Sequence, residues 1–421
     1  MRTLTVLPLG NVLNDASLSV TVPARVALVL DISAHLVQIR PMNSIRLSTA
    51  MTLLCSVAVK ALAAGDVALP PIQTAGTDAQ GRITVNGKPF FPILMYDTPT
   101  DPASLKMFRE HGFNTLTAKP EEAETLREHG LYTAVHTGKK VEKLDGVLFG
   151  IGMDSPALYW KEDLLGKSKA DLAQLREWVP NRPIMHAIGY WEDEPGGVIS
   201  NKVPAKERYE ELVKVLDVSA PYLYPVPYQP VKSVGEAMAR ADAATNGKKP
   251  LLPVLQLFTW DAKDRYPTPA ELKCMVYLAL IHGADGIGYY SYNYVAGKKG
   301  TNIAKEQPEL WKAVKEINEE VYMISSWLRD SRPESLVALA KPNPAVEFRA
   351  AHSTGSLHLL VVNTSGSKTE AEFRVPVQGT RGIASPAGTR ATIDKGILRC
   401  SLQAFEAVDW QFDLRDPRSS R

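Results

Sequence analysis

The stretch Leu251–Tyr292, LLPVLQLFTWDAKDRYPTPAELKCMVYLALIHGADGIGYYSY, holds two short apolar runs separated by a longer one that begins near Pro269. Short apolar runs bounded by turn residues indicate buried strands, and the longer run predicts a helix with a proline in its first turn. A strand, a helix and a second strand in this order form the unit of a parallel sheet. This stretch therefore predicts an α/β fold.

The same alternation extends upstream along most of the chain. We predict eight strands, at Phe91–Tyr96, Phe113–Thr117, Leu131–His136, Ala157–Trp160, Ile184–Tyr190, Tyr222–Pro225, Leu251–Phe258 and Gly286–Tyr292. Helices are predicted between many of them, and a closing helix follows at Pro308–Arg329. Eight strands alternating with helices are typical of a (β/α)8 TIM barrel of about 250 residues. The open doubly wound sheet is disfavoured, because no G-x-G-x-x-G follows the first strand. The apolar run Val147–Met153 is assigned to no element.

The pattern changes after about residue 335. Short strand-like runs, separated by Ser, Gly, Thr and Pro, predict an antiparallel β-sandwich. These runs are Val346–Ala351, Leu357–Asn363, Ala371–Val375, Arg390–Ile393 and Ala404–Phe412. We therefore expect a barrel over residues 65–334 and a sandwich domain over 335–421 that packs against it, since no long linker separates them.

The N-terminal part of the chain contains the pattern of a secretory signal peptide over residues 42–64. A basic Arg46 precedes the apolar run Met51–Val59, and Ala61-Leu62-Ala63 supplies a small-residue cleavage site. A signal should not have a leader, so residues 1–41 are interpreted as an over-extended start or a disordered segment. We expect the mature protein to be periplasmic or secreted, without stable membrane insertion after removal of the signal.

The composition narrows the function classes. The chain has 421 residues, 45% of them hydrophobic, 22% charged and 8% aromatic, with a formal net charge of +2. A charge so close to zero gives no reason to expect nucleic-acid binding. The three cysteines, Cys55, Cys274 and Cys400, do not have the spacing of metal ligands. We expect neither a metal nor an organic cofactor.

Aromatic and acidic residues cluster at the predicted carboxyl ends of the strands, where TIM barrels place their active sites. Aromatic rings stack on the apolar faces of sugars, and glycoside hydrolysis needs a protonated carboxyl and usually a second carboxylate. The candidates for substrate binding are Tyr96, Trp160, Trp191, Tyr224, Gln256, Trp260, Tyr290 and Tyr292. The candidate catalytic acids are Glu162, Asp163, Asp193, Glu194 and Asp261.

Three histidines lie at element ends. His136 ends the third predicted strand, where it could orient a substrate or serve as a structural residue. His111 and His282 lie at predicted helix C-termini, where a cation is favoured by the helix dipole, and are interpreted as structural.

Several motifs resemble known enzymes. The stretch ITVNGKPFFPILMY at Ile83–Tyr96 resembles the opening of the clan A glycoside hydrolase barrels, the β-galactosidase and cellulase superfamily. PVLQLFTW at Pro253–Trp260 and GIGYYSY at Gly286–Tyr292 resemble a poorly characterised branch of that superfamily. The resemblance implies a retaining hydrolase with an acid/base Glu after the fourth strand and a nucleophilic Glu after the seventh.

The sequence departs from that pattern in two places. Glu162 matches the acid/base by strand count, but the Asp-Glu-Pro motif of the branch occurs one strand later, at Asp193-Glu194-Pro195. The seventh strand contains Gln256 and no Glu, with Asp261 as the nearest acid. The sequence therefore supports an exported glycoside hydrolase acting on an oligo- or polysaccharide. A non-catalytic glycan-binding protein on the same scaffold remains the alternative.

Overall fold

The computed structural model describes residues 2–6, 18–22, 28–31, 36–39, 68–152, 164–189, 206–328, 331–353, 356–376 and 391–413. The chain divides into two compact units, Met1–Lys60 and Ala61–Arg421. The described strands of the first unit form two antiparallel pairs, Arg2–Val6 with Leu18–Val22 and Leu28–Asp31 with Leu36–Ile39. The predicted signal peptide, including Cys55, lies outside the described residues, so export stays a prediction.

The second unit contains a closed barrel of eight parallel strands, as predicted. The strands run in chain order around the barrel, and the eighth pairs with the first. Their bounds are Ile93–Met95, Thr115–Ala118, Tyr132–Val135, Val147–Ile151, Ile184–Gly189, Val218–Tyr222, Val254–Gln256 and Ile287–Tyr290. The predicted fold class is therefore confirmed.

The predicted fourth strand was wrong. The barrel position between the third and fifth strands is occupied by Val147–Ile151, the run that sequence analysis left unassigned, and not by Ala157–Trp160. Gly150 within this strand and Gly152 directly after it lower its apparent strand character, because glycine is a poor strand former. Both positions are closely packed: a Cβ on Gly150 would lie 2.8 Å from Ile184 Cδ1, and one on Gly152 would lie 2.6 Å from His186 Nδ1.

Helices pack around the barrel and alternate with most of its strands. They span Pro102–Glu110, Ala123–Glu128, Leu164–Trp178, Lys206–Val215, Ser233–Thr245, Pro269–Ile281, Ile303–Glu306 and Pro308–Leu328. Local sequence sets their starts: Thr268 and Glu271 form a reciprocal capping box directly around Pro269. No helix in the described ranges combines the length and apolar character needed to cross a bilayer.

The amino-terminal end of the barrel is closed by a three-stranded sheet, which we call the plug. Its strands are Ala75–Thr77, Ile83–Val85 and Lys88–Pro89. Ile83 and Val85 are buried together with residues that fill the barrel interior. Beside them lies Arg182, only 7% exposed, whose guanidinium donates to the backbone oxygens of Ile72 at 2.6 Å and Val147 at 2.7 Å. These hydrogen bonds offset the unfavourable burial of the charge. They also join the segment before the barrel to the fourth strand.

The C-terminal region forms two four-stranded antiparallel sheets. One contains Arg332–Pro333, Val346–Ser353, Ser356–Asn363 and Ala407–Asp413, and the other contains Ala338–Leu339, Thr369–Arg374, Ile397–Leu402 and Ala391–Asp394. Their facing surfaces bury large apolar side chains such as Phe373, Trp410 and Phe412. This is the predicted sandwich, although sequence analysis missed the strand at Ile397–Leu402.

The sandwich packs against the barrel helices as expected. Leu360, Val362 and Ala407 belong to the same buried cluster as the helix Pro269–Ile281. Polar contacts cross this boundary as well, since His282 Nε2 lies 2.6 Å from Glu347 Oε2. Cys274 and Cys400 are buried free thiols.

A buried carboxyl lies where the plug, the barrel and the sandwich meet. Asp285, just before the eighth strand, accepts a hydrogen bond from the Leu251 amide at 3.1 Å. Burial raises the pKa of Asp285 to about 7, while the charges of Arg349 from the sandwich and Arg82 from the plug act in the opposite direction. This end of the barrel thus holds a carboxyl whose ionisation is coupled to folding.

Candidate functional site

Aromatic side chains gather at the carboxyl ends of the first, sixth, seventh and eighth barrel strands. Because the strands are parallel and the barrel is closed, residues at these ends meet around one mouth. Pairs of rings lie 4.9–6.2 Å apart and form one continuous surface, which we call the aromatic wall. Its members are Tyr96, Tyr222, Tyr224, Phe258, Trp260, Tyr290 and Tyr294. Of the predicted binding residues, the structure thus brings together Tyr96, Tyr224, Trp260 and Tyr290.

Phe258 organises the aromatic wall. It is 3% exposed, and its ring meets the neighbouring rings edge-on, at 4.9 Å from Tyr224 and 5.6 Å from Tyr290. It also lies 5.3 Å from Trp260 and 5.5 Å from Tyr294. Edge-to-face pairs of this kind each contribute about 0.5–1.5 kcal/mol beyond their buried area. The buried Phe258 therefore holds the outer rings in one arrangement.

The outer rings of the wall keep part of their faces accessible. Trp260 is 37% exposed and Tyr294 is 41% exposed, whereas Tyr224 and Tyr290 are half-buried between them. The Trp260 indole nitrogen donates to the backbone oxygen of Tyr224 at 3.3 Å, which ties the loop after the seventh strand to the loop after the sixth. Large exposed aromatics that are anchored in this way form a ready surface for an apolar ligand face.

The sixth-strand loop carries a further exposed ring. Tyr228 is 58% exposed, and its hydroxyl donates to Asp264 Oδ2 at 2.7 Å. The Asp264 carboxylate raises the pKa of the Tyr228 hydroxyl, so that this phenol stays protonated in its hydrogen bond. This contact is a second link between the loops after the sixth and seventh strands.

Gln256 ends the seventh strand, but its amide is used by the protein backbone. The residue is completely buried. Its Oε1 accepts from the Val226 amide at 2.8 Å, and its Nε2 donates to the carbonyl oxygens of Val226 at 2.7 Å and Phe258 at 3.1 Å. Gln256 therefore holds the loops that carry the aromatic wall, while sequence analysis listed it as a substrate-binding residue.

Tyr292 lies apart from the other candidate aromatics. It is 5% exposed, and its ring packs 4.8 Å from Phe108 and 5.2 Å from Trp311 on the surrounding helices. The strand ends at Tyr290, so strand alternation no longer sets the direction of the Tyr292 side chain. The structure thus places this predicted binding residue in the layer between strands and helices. His111, stacked 4.5 Å from Trp311, lies in the same layer.

The predicted catalytic acids follow three different barrel strands in the sequence. Asp261 is exposed on the loop after the seventh strand, next to Trp260. Trp160, Glu162 and Asp163 follow the fourth strand in the sequence, and Trp191, Asp193 and Glu194 follow the fifth. These six residues lie outside the described residues, and their roles stay predictions. With the fourth strand at Val147–Ile151, Glu162 follows its last residue by 11 positions and not by two, so the strand end from which its role was predicted is not a barrel strand.

Polar groups lie just beyond the ends of the first and third strands. Asp97 is exposed just beyond the first strand, with a φ of +55° that non-glycine residues seldom adopt. His136 directly follows the third strand and is also exposed. His186, in contrast, is the third residue of the fifth strand and lies on the same face as Ile184 and Ile188, which pack against the surrounding helices. Burial lowers the pKa of His186 to about 4, so this imidazole is neutral at neutral pH.

Neither Asp97 nor His186 is among the site candidates that the sequence indicates. A histidine in the apolar strand IMHAIG was the available signal for His186, because a buried polar side chain in a parallel strand needs a specific reason. The left-handed backbone of Asp97 left no sequence signal, since aspartate also occurs in ordinary loops. In the described ranges, no group of three or more His, Cys, Asp and Glu side chains is arranged to hold a metal ion.

Comparison with known proteins gives a likeness in fold. A β-galactosidase from Bacillus circulans sp. alkalophilus superposes with a TM-score of 0.51 at 8% identity, over 82% of this chain and 99% of that one. A structure described as a glycoside hydrolase has a TM-score of 0.47 at 13% identity, over 82% and 98% of the two chains. A GH30 endoxylanase from Clostridium papyrosolvens has a TM-score of 0.39 at 9% identity, over 82% and 99%.

This chain has a (β/α)8 barrel fold like that of the β-galactosidase. The resemblance expected from the sequence motifs is thus confirmed for the architecture, and identities this low concern the fold alone. No protein-family model matches the chain, and no curated protein sequence matches it either.

Proposed function

We propose that this protein is an exported glycoside hydrolase that binds an oligo- or polysaccharide at the barrel mouth. The aromatic wall carries the proposal, because accessible rings held at fixed angles suit the apolar faces of pyranose rings. Trp260, Tyr224 and Tyr290 are the central binding residues. The sugar hydroxyls would contact the polar groups just beyond the first and third strands, Asp97 and His136.

The proposed chemistry is carboxylate acid/base catalysis. Glu162 or Glu194 is the general acid, which protonates the leaving glycosidic oxygen, and burial near Trp160 or Trp191 would raise its pKa. Asp163, Asp193 or Asp261 is the second carboxylate, which acts as nucleophile or activates water. A carboxyl separation of about 5 Å corresponds to retention, and one of roughly 6.5–9.5 Å to inversion.

Export is the second part of the proposal. The signal-like pattern at residues 42–64 supports a periplasmic or secreted protein. Expression of the complete coding sequence in a bacterial host, followed by N-terminal sequencing of the mature protein, tests it. A mature start near Gly65 supports export, whereas retention of residues 1–64 in the cytoplasm refutes it.

The hydrolase proposal is tested with a panel of glycans. We expect the wild-type protein to release reducing sugar from at least one, and Glu162→Gln or Glu194→Gln to abolish that release with unchanged folding. Asp242→Asn, on an exposed helix position, is a matched control that should leave hydrolysis intact. Hydrolysis that survives both Glu→Gln changes would overturn the assignment of the acids.

One observation favours a second function, glycan binding without turnover. The resemblance implies a Glu nucleophile after the seventh strand, whereas the residue there is Gln256, and its amide is bound to the backbone. A binding protein would keep affinity for the same glycans in the Glu162→Gln and Glu194→Gln variants but lose it in Trp260→Ala, with no hydrolysis in any form. Calorimetric titration of the panel separates the two functions.

A further inference from the structure

The aromatic wall is wider than a single sugar ring. Four of its rings follow one another in the order Trp260, Tyr224, Tyr290 and Tyr294, with neighbouring centroids 5.9, 6.1 and 6.2 Å apart. Within this described set of rings, Trp260 and Tyr294 do not contact each other, although both contact the buried Phe258. They are also the exposed ends of the row, at 37% and 41%. Because a pyranose is similar in size to one aromatic ring, one sugar unit does not cover both ends.

Tyr294 is held by the loop after the eighth strand. Its amide donates to Ser291 Oγ at 3.3 Å. The next four residues, 295–298, form a turn that is closed by a hydrogen bond from the Lys298 amide to the Val295 carbonyl oxygen at 3.1 Å. Val295 and Ala296 are each 7% exposed, so the first half of this turn is packed against the protein. The position of the Tyr294 ring therefore depends on what this turn contacts.

The turn contacts the loop that carries Trp260. Gly297, its third residue, has a φ of +70°, which glycine adopts readily at this position of a turn. A Cβ on Gly297 would lie 2.7 Å from Ala262 Cβ, so the two segments approach this closely only because residue 297 is glycine. Ala262 follows Trp260 by two residues, and Gly297 follows Tyr294 by three. One close contact thus joins the segments that carry the two exposed rings.

We propose that Trp260 and Tyr294 are two stacking positions for different units of one saccharide chain, and that the contact between Gly297 and Ala262 sets their separation. The inference rests on the proposed carbohydrate binding and names the ligand class, a chain of several sugar units rather than a monosaccharide. When the two rings are held at a fixed separation, a chain bound at one of them already lies beside the other, which favours the second contact. Tyr294 is then a binding residue and Gly297 a positioning residue.

The contact is tested first on the full chain without ligand, by the NMR signal of the Trp260 indole N–H. This signal is assigned by its loss in Trp260→Phe. Gly297→Ala should displace the signal, because the new methyl group cannot occupy the space beside Ala262. Ala262→Gly in the same chain should restore it. Ala262→Val enlarges the other side of the contact and should displace the signal as well.

Gly300→Ala is the matched control for Gly297→Ala. Gly300 has a φ of +72°, so both changes place alanine in the same unfavourable backbone conformation. A Cβ on Gly300, however, would have no atom of the described residues within 4 Å. An unchanged signal in both Gly297→Ala and Ala262→Val overturns the role of the contact. Equal displacements in Gly297→Ala and Gly300→Ala overturn it too.

Binding is then measured by calorimetric titration with a monosaccharide and a tetrasaccharide of one sugar that the glycan panel identifies. Where the wild type hydrolyses the tetrasaccharide, every form carries Glu162→Gln and Glu194→Gln. The tetrasaccharide should bind at least about 10-fold more tightly than the monosaccharide. Trp260→Ala and Tyr294→Ala should each weaken tetrasaccharide binding about 10-fold, the effect of one lost stacking contact. Only one of them should weaken monosaccharide binding.

Gly297→Ala should lower the ratio of the tetrasaccharide affinity to the monosaccharide affinity, and Gly300→Ala should leave this ratio unchanged. Equal affinity for the two sugars, or a tetrasaccharide affinity that is unchanged in Tyr294→Ala, overturns the two stacking positions. The proposed function still holds in that case if Trp260→Ala weakens binding. Absence of binding by any glycan refutes the proposed function instead, and the Trp260 signal still decides whether the contact positions the rings.

Discussion

The two ends of the barrel differ in how far their apolar side chains are covered. We call the amino-terminal end the closed end and the carboxyl-terminal end the open end. At the amino-terminal end, apolar residues of the small sheet cover the interior, and the buried cation Arg182 is saturated by backbone oxygens. At the carboxyl-terminal end, the rings of Trp260 and Tyr294 stay accessible. Satisfied polar groups and covered apolar groups stabilise a fold, whereas large accessible rings suit the binding of a ligand.

The largest effect is expected from Arg182→Met at the closed end. Methionine keeps most of the apolar stem but leaves the carbonyl oxygens of Ile72 and Val147 without their donor. The free energy of unfolding, measured with urea, should fall by about 3–5 kcal/mol, because buried hydrogen bonds to charged groups are lost. Arg399→Met is the control, since its ion pair with Glu372 at 3.0 Å is exposed and should contribute less than about 1 kcal/mol. Equal losses in both variants would refute the distinction.

A pH-dependent effect is expected from Asp285 at the same end. Its pKa in the folded state, about 7, lies above its value in the unfolded chain. A raised carboxyl pKa stabilises the fold below the unfolded value, and this contribution is lost as the pH rises through 7. Wild-type stability should therefore fall between pH 4 and pH 8 by roughly 2–4 kcal/mol from this group, and Asp285→Asn should flatten that part of the profile.

The control for this profile is Asp242→Asn, because its carboxylate is exposed on a helix. The free energy of unfolding, measured with urea at pH 4, 6 and 8, should change with pH in this control as it does in the wild type. If the free energy of unfolding of Asp285→Asn changed with pH as it does in the wild type, Asp285 would ionise equally well in the folded and unfolded states. Its ionisation would then not be coupled to folding.

Gln256 is a buried polar side chain bonded to the backbone, like Arg182, but it lies at the open end of the barrel. Gln256→Glu would direct a carboxylate at the carbonyl oxygens of Val226 and Phe258, which now accept from the amide. We expect a loss of about 2–3 kcal/mol at pH 7, because a buried charge with the Val226 amide as its single donor is unfavourable. The loss should shrink as the pH falls below about 6, because burial raises the pKa of the new carboxyl above its ordinary value and the protonated carboxyl can donate one bond. A gain of hydrolytic activity without a stability loss would show instead that this position faces the substrate.

The smallest effect is expected for Trp260→Ala at the open end. Removal of this accessible ring should weaken saccharide binding by about 1–2 kcal/mol, a 5- to 30-fold change in Kd, with little change in stability. Tyr322→Ala is the matched control, because Tyr322 is 48% exposed but lies on the helix Pro308–Leu328, away from the strand tips. Isothermal titration calorimetry compares the two. An equal loss of saccharide affinity in the two variants would show that the aromatic wall is not part of the binding site.

The barrel could be predicted from the sequence because most of its strands are short, uninterrupted apolar runs. It failed at Val147–Ile151, where glycines required by Ile184 and His186 lowered the apparent strand character. It placed Tyr224, Trp260 and Tyr290 together, since strand-end position predicts the barrel mouth. It could not separate Tyr290 from Tyr292, because two residues beyond a strand the direction of a side chain depends on packing.

The sequence by itself determined the alternation of strands and helices, the change to a sandwich, and the wealth of aromatics at strand ends. These features follow from periodicity and turn chemistry, which are local. Tertiary structure decided which rings join the aromatic wall, that the Gln256 amide is bound by the backbone, and that the His186 ring packs over Gly152. Each of these depends on contacts between residues distant in the chain, and such contacts leave no local pattern.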